Sequence, residues 1–75
     1  MAELVLLYRS RARMTQDQLS AASGVKKQTI SQVENGSEPR QKTLRRIVEA
    51  LAEANEIPAD LLEREVFSLL WDAST

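Results

Sequence analysis

The chain has 75 residues, enough for one domain, and it contains neither cysteine nor histidine. These absences exclude disulfides, thiolate or imidazole metal sites and nucleophiles activated by histidine, so we expect no enzyme, no metal and no cofactor. The net charge of −1 hides an asymmetry, because residues 9–46 hold nine cations and three acids, whereas residues 47–75 hold seven acids and one cation. The first of these segments therefore predicts a polyanionic partner.

The first predicted helix covers about residues 2–13 and carries an apolar stripe for the core. The stripe consists of Leu4, Val5, Leu7, Tyr8 and Ala12. A second helix, about residues 16–23, is predicted to begin after Thr15. Gln18 follows Thr15 by three residues and completes a capping-box pattern, which typically marks a helix start.

A glycine turn separates the second helix from a third, about residues 27–35. Gly24 stands where a helix end needs a positive φ, which glycine adopts without strain. The residues expected to face inward from the two helices are Leu19, Ala22, Ile30 and Val33. Two short helices joined by such a turn form a helix-turn-helix unit, here about residues 16–35.

Two further helices are predicted after this unit. The fourth covers about residues 41–54, where apolar residues recur at spacings of three and four: Leu44, Ile47, Val48 and Leu51. The fifth starts near Pro58, a favoured first-turn residue, and runs to about residue 71. Because no strand-like alternation occurs in the sequence, we expect one all-α domain of five helices.

The outward face of the third helix carries hydrogen-bonding side chains. They are Lys27, Gln28, Thr29, Ser31 and Gln32. Flexible side chains of these kinds read base edges in the major groove of DNA. An ordinary polar surface is the alternative interpretation of the same residues.

Residues 8–62 resemble the Cro/phage-repressor (XRE-like) family of helix-turn-helix proteins. The matching features are Arg9, Thr15-Gln16, Leu19, Gly24-Val25, Ile30-Ser31, Val33-Glu34-Asn35-Gly36, Pro39, Thr43-Leu44 and Ile57-Pro58 leading to Leu61-Leu62. The resemblance implies a lambda-repressor-like fold that binds double-stranded DNA. It also implies an ion pair between Arg9 and Glu34 that ties helix 1 to helix 3.

The same resemblance implies which residues contact DNA. The expected base-reading residues are Lys27, Gln28 and Gln32. The expected backbone contacts are Gln16, which resembles a phosphate-gripping glutamine, together with Lys26, Thr29, Ser31, Asn35, Arg40 and Lys42. The cations between residues 40 and 46 are also open to a simpler interpretation as a solvated face, since only part of the run can meet one duplex.

Three positions depart from the family pattern. Arg13-Met14 stands where the family usually has glycine and leucine, so the corner between helices 1 and 2 is expected to differ in shape. Lys26 replaces the usual serine or threonine cap of helix 3, and Gln41 replaces an apolar residue of helix 4. None of these departures falls on an expected base-reading residue.

The C-terminal helix is expected to form a homodimer. Its apolar residues are Leu62, Val66, Phe67, Leu69, Leu70 and Trp71. Together they exceed what one small core needs, although Phe67, Leu70 and Trp71 are equally consistent with packing on the domain's own core.

The function expected from these features is transcription regulation by a homodimer, as a repressor or autoregulator on a palindromic operator. The alternative is an antitoxin or adaptor whose acidic, apolar C-terminal helix binds a protein. Phage repressors, restriction-modification controllers and antitoxins share this plan, and the sequence does not choose among them. We expect a cytoplasmic protein with no membrane partner, encoded by a bacterium or a phage.

Overall fold

Five α-helices follow one another in a computed structural model, which describes the backbone of residues 2–71 and the side chains of residues 2–66. The helices are α1 (Ala2–Arg11), α2 (Gln16–Ser23), α3 (Lys27–Glu34), α4 (Gln41–Ala54) and α5 (Ala59–Trp71). No strand occurs between residues 2 and 71, and the prediction of an all-α fold with five helices is confirmed. Over this range, no helix combines the length and apolar character needed to cross a membrane.

The ends of α2 match the local sequence signals. The Thr15 hydroxyl accepts a hydrogen bond from the Gln18 N–H at 3.1 Å, and the Gln18 side chain accepts one from the Thr15 N–H at 2.9 Å. Gly24 closes the helix with a φ of 74° and donates its N–H to the Ser20 carbonyl. Nothing lies within 4 Å of where a Cβ would stand on Gly24, so the backbone conformation alone favours glycine there.

The corner between α1 and α2 has a left-handed residue that is not glycine. Arg13 has a φ of 55°, and its N–H donates to the Ser10 carbonyl at 3.0 Å. α1 therefore ends at Arg11, two residues before its predicted end. The family usually places glycine at this position, so the arginine holds a conformation that suits glycine better.

The core is built around α4, which alone buries six residues. Each of the five helices contributes at least one side chain less than 2% exposed: Val5, Leu19, Ile30, Val33, Ile47, Val48, Leu51, Leu62 and Val66. Full burial of one such leucine or isoleucine stabilises the fold by about 1.5–3 kcal/mol. The core thus fixes α2 and α3 against the rest of the molecule.

Two residues expected to face inward lie on the surface instead. Leu7 is 48% exposed, and Ala22 is also exposed. Residues of an α-helix turn by about 100° each, so position i+3 lies about 60° from position i on the side away from i+4. In α1 the buried side runs from Leu4 to Tyr8, its i+4 neighbour. In α2 it runs from Leu19 to the half-buried Ser23, its i+4 neighbour. Leu7 and Ala22 therefore fall outside the buried arcs.

The start of α5 corrects part of the expected dimer surface. Leu62 and Val66, which the sequence assigned to a dimer face, are 1% and 0% exposed because they pack into the chain's own core. They are not available to a partner. The expected dimer residues Phe67, Leu69, Leu70 and Trp71 have side chains outside the described residues.

Polar contacts attach the last two helices to the remainder of the domain. The Tyr8 hydroxyl donates to the Glu65 carboxylate at 2.9 Å, which joins α1 to α5. The Asn55 side chain donates to the carbonyls of Tyr8 and Leu51 at 3.0 and 2.8 Å. A single amide thus caps the end of α4 and attaches it to α1.

Candidate nucleic-acid interface

The turn between α2 and α3 is held by side chains as well as by backbone. The Ser20 hydroxyl donates to the Val25 carbonyl at 2.6 Å, and the Val25 N–H donates to the Ser23 hydroxyl at 3.2 Å. Val25 itself is 6% exposed and belongs to the core. Because Ile30 and Val33 are also buried, the orientation of α3 about its own axis is fixed.

The expected base-reading residues all lie on the outer face of α3. Lys27, Gln28 and Gln32 are exposed, and at about 100° per residue they span about 140° of the helix surface. Ile30 and Val33 occupy the opposite side. The structure therefore brings these three side chains together on one accessible face of an α-helix, and the major groove of DNA is wide enough to admit an α-helix.

The residues expected to contact the DNA backbone differ in their exposure. Lys26, Asn35, Arg40 and Lys42 are exposed, whereas Gln16, Thr29 and Ser31 are half-buried. Neither Lys26 nor Arg40 makes a side-chain capping hydrogen bond to the helix it precedes. Both are cations without an acceptor atom, so neither side chain can cap the N–H groups of a helix, and both stay exposed to solvent.

Two cations of α4, Lys42 and Arg45, lie near each other on the surface. Arg45 Nε lies 3.8 Å from Glu63 Oε1, so this arginine interacts with α5. Lys42 lines a surface groove together with Gln41 and Arg45.

Among the described residues, no group of acidic side chains is arranged to hold a metal ion.

The Glu34 carboxylate is the centre of a hydrogen-bond network below the outer face of α3. Arg9 donates from Nε to Oε2 at 2.8 Å and from Nη2 to Oε1 at 3.0 Å, which makes a bidentate ion pair. The side chains of Arg9 and Glu34 are 19% and 6% exposed. Arg9 Nη1 also donates to the Met14 carbonyl at 2.9 Å. The pair therefore joins α1, the corner after it and the last residue of α3.

Gln16 takes part in the same network, which the sequence did not indicate. Its Nε2 donates to Glu34 Oε1 at 3.0 Å, across a separation of 18 residues. The resemblance assigned Gln16 to DNA and Glu34 to Arg9, and no local pattern connects the two roles. Only the packing of α2 against α3 brings them together.

A second contact between α2 and α3 was also not indicated by the sequence. The Lys27 ammonium lies 3.3 Å from Asp17 Oδ1, and both side chains are more than half exposed. From the sequence alone, Asp17 is an acid in the first turn of a helix, where its negative charge interacts favourably with the helix dipole. The structure places that acid beside an expected base-reading residue.

Comparison with known families assigns the fold. A family model described as helix-turn-helix matches residues 7–53, which is more than half of the chain and includes α2, the turn and α3. No curated protein and no solved structure matches the chain. The matched family binds DNA and is not a family of enzymes. The chain therefore belongs to the helix-turn-helix family of the Cro/phage-repressor (XRE-like) type and is a DNA-binding domain with a lambda-repressor-like fold.

Proposed function

We propose that this protein is a cytoplasmic transcription regulator that binds a palindromic operator as a homodimer and acts as a repressor or autoregulator. The observation that carries the proposal is the outer face of α3, where Lys27, Gln28 and Gln32 stand exposed on a helix whose inner residues are buried. Such a face would let the protein act by occupying DNA.

Two kinds of contact divide the work at the proposed interface. Phosphate contacts supply most of the affinity, make it sensitive to salt and fix the position of the protein on the duplex. Gln16 and Arg40 suit this role because they flank α3 on either side in sequence. Base contacts supply the sequence preference, and the amide of Gln28 suits a bidentate contact with adenine.

Two features support the proposed homodimer, which are the short length of α3 and an exposed apolar side chain on α5. One eight-residue helix reads few base pairs, whereas two copies on successive major grooves about 34 Å apart read a palindrome. Leu61 on α5 is 58% exposed, which supports an apolar contact there. With Leu62 and Val66 in the core, the proposed interface consists of Leu61 and the apolar residues between 67 and 71.

Selection of bound sequences from a random pool of DNA duplexes tests the proposal. We expect one palindromic sequence to be enriched. Gln28→Ala should then lose about 1–3 kcal/mol of discrimination at one base pair in each half-site. Arg40→Ala is the matched control, because a lost phosphate contact should weaken all duplexes alike and lower the salt slope by about 0.9. If the Gln28→Ala protein ranks all mismatched duplexes as the wild type does, α3 does not read bases at that residue.

A second candidate function is capture of a basic protein partner by the acidic half of the chain. Exposed acids at Glu49, Glu53, Glu56 and Asp60 lie near Leu61 in sequence, and such a surface suits an antitoxin or adaptor. Co-expression with the product of the neighbouring gene distinguishes the candidates. A stoichiometric complex that Leu61→Arg disrupts would support the second function.

A further inference from the structure

The Glu34 carboxylate accepts three hydrogen bonds, and each constrains the others. Two come from Arg9, and the third comes from the side-chain amide of Gln16 at 3.0 Å. Arg9 is itself fixed by its bond to the Met14 carbonyl. The Glu34 side chain is 6% exposed, so these three donors are expected to set the orientation of its carboxylate.

We propose that Glu34 is a positioning residue for DNA binding, because it holds the Gln16 amide ready to donate to a phosphate oxygen. The inference rests on the proposed function, in which Gln16 contacts the DNA backbone. It gives Glu34 a role beyond the ion pair that joins the helices.

The chemistry of the two groups sets the orientation of the amide. An ionised carboxylate only accepts hydrogen bonds, so it selects the nitrogen of the Gln16 amide over the oxygen. That nitrogen carries two N–H groups, of which Glu34 takes one. The second N–H remains for another acceptor, and Gln16, at the first position of α2, is still partly exposed to solvent.

The pairing with Arg9 makes this arrangement compatible with a nearby phosphate. A lone carboxylate would repel the DNA backbone, whereas the bidentate contact with Arg9 compensates its charge. Glu34 thus contributes a fixed acceptor without contributing a net charge to the interface.

The expected gain comes from conformational entropy. A free glutamine side chain loses its rotamer freedom when it binds a phosphate, while a side chain already held loses less. For each Gln16 contact, this smaller entropy loss should lower the dissociation constant for DNA about two- to tenfold.

A double-mutant cycle tests the inference with a labelled duplex of arbitrary sequence at low salt, since phosphate contacts do not depend on base sequence. The proteins are the wild type, Gln16→Ala, Glu34→Gln and the double variant. We expect Glu34→Gln to weaken binding about two- to tenfold more in the presence of Gln16 than in the presence of alanine there. If Glu34→Gln weakens binding equally with Gln16 and with Gln16→Ala, the inference is overturned, because Glu34 would then act on the whole of α3.

A measurement without DNA separates this inference from the proposed function. Relaxation of the side-chain amide groups by NMR should show Gln16 to be rigid in the free protein and Gln28, an exposed internal control, to be mobile. Equal mobility of the two amides would overturn the inference.

If Glu34→Gln does not fold, Glu34→Asp keeps the charge for Arg9, withdraws the acceptor from Gln16 and should give the same pattern. A wild type that binds no duplex refutes the proposed function and this inference with it, whereas binding with additive effects refutes the inference alone.

Discussion

The left-handed corner at Arg13 makes a direct prediction about stability. A residue other than glycine costs about 1–2 kcal/mol in this conformation. Glycine avoids that cost but loses about 0.5–1 kcal/mol more conformational entropy on folding. Arg13→Gly should therefore stabilise the domain by about 0.5–1 kcal/mol. For a domain of this size that gain raises Tm by about 2–8 °C.

Two control variants isolate the backbone term in this prediction. Arg13→Ala removes the same charge but keeps the Cβ, so its free energy of unfolding should stay close to that of the wild type. Ser10→Gly places glycine inside α1 and should destabilise the domain by about 0.5 kcal/mol. Urea unfolding followed by far-UV circular dichroism measures all four proteins. If Arg13→Gly is no more stable than Arg13→Ala, the left-handed backbone at residue 13 carries no such cost.

Three further perturbations follow from the polar contacts. Arg9→Met should destabilise the domain by about 3 kcal/mol in urea unfolding, because it leaves the carboxylate of Glu34, whose side chain is 6% exposed, without its charged partner. A loss below about 1 kcal/mol would contradict the pairing. The hydrogen bond to Glu65, together with burial, raises the pKa of Tyr8, so this contact stabilises the fold below about pH 10 and is lost as the pH rises through the raised pKa. Tyr8→Phe should therefore lose less stability than the wild type between about pH 9 and pH 11, and parallel losses would argue against the contact. Asp17→Asn should tighten binding to every duplex at low salt, because it removes a negative charge 3.3 Å from Lys27 that repels the DNA backbone, and an unchanged affinity would show that Asp17 does not offset the charge of Lys27.

Short-range features of the fold were predictable from the sequence. The capping box of Thr15 and Gln18 and the left-handed Gly24 each depend on residues within one turn of a helix. The sequence contains all the participants in such a feature within a few positions. The bounds of α2 were accordingly predicted to the residue, and those of α4 were predicted equally well from its apolar spacing and the Asn55-to-Pro58 break.

Features that depend on packing between helices were not predictable. Leu62 and Val66 belong to an apolar stripe that suits a core and a dimer face equally, and only the docking of α5 decides between them. The contact between Gln16 and Glu34 crosses 18 residues and two helices. Its participants are ordinary polar residues, so no periodicity distinguishes them from a solvated surface.

The division of α3 into a buried side and an exposed side has a consequence for how this protein changes over evolutionary time. Ile30 and Val33 hold the helix in place, whereas Gln28 and Gln32 contribute little to the core. Substitutions at such exposed positions usually change stability by no more than about 0.5 kcal/mol. Substitutions of Gln28 and Gln32 can therefore change the base preference of the protein without unfolding it. Under the proposed function, duplicated copies of this gene would diverge in their operators long before they diverged in their shape.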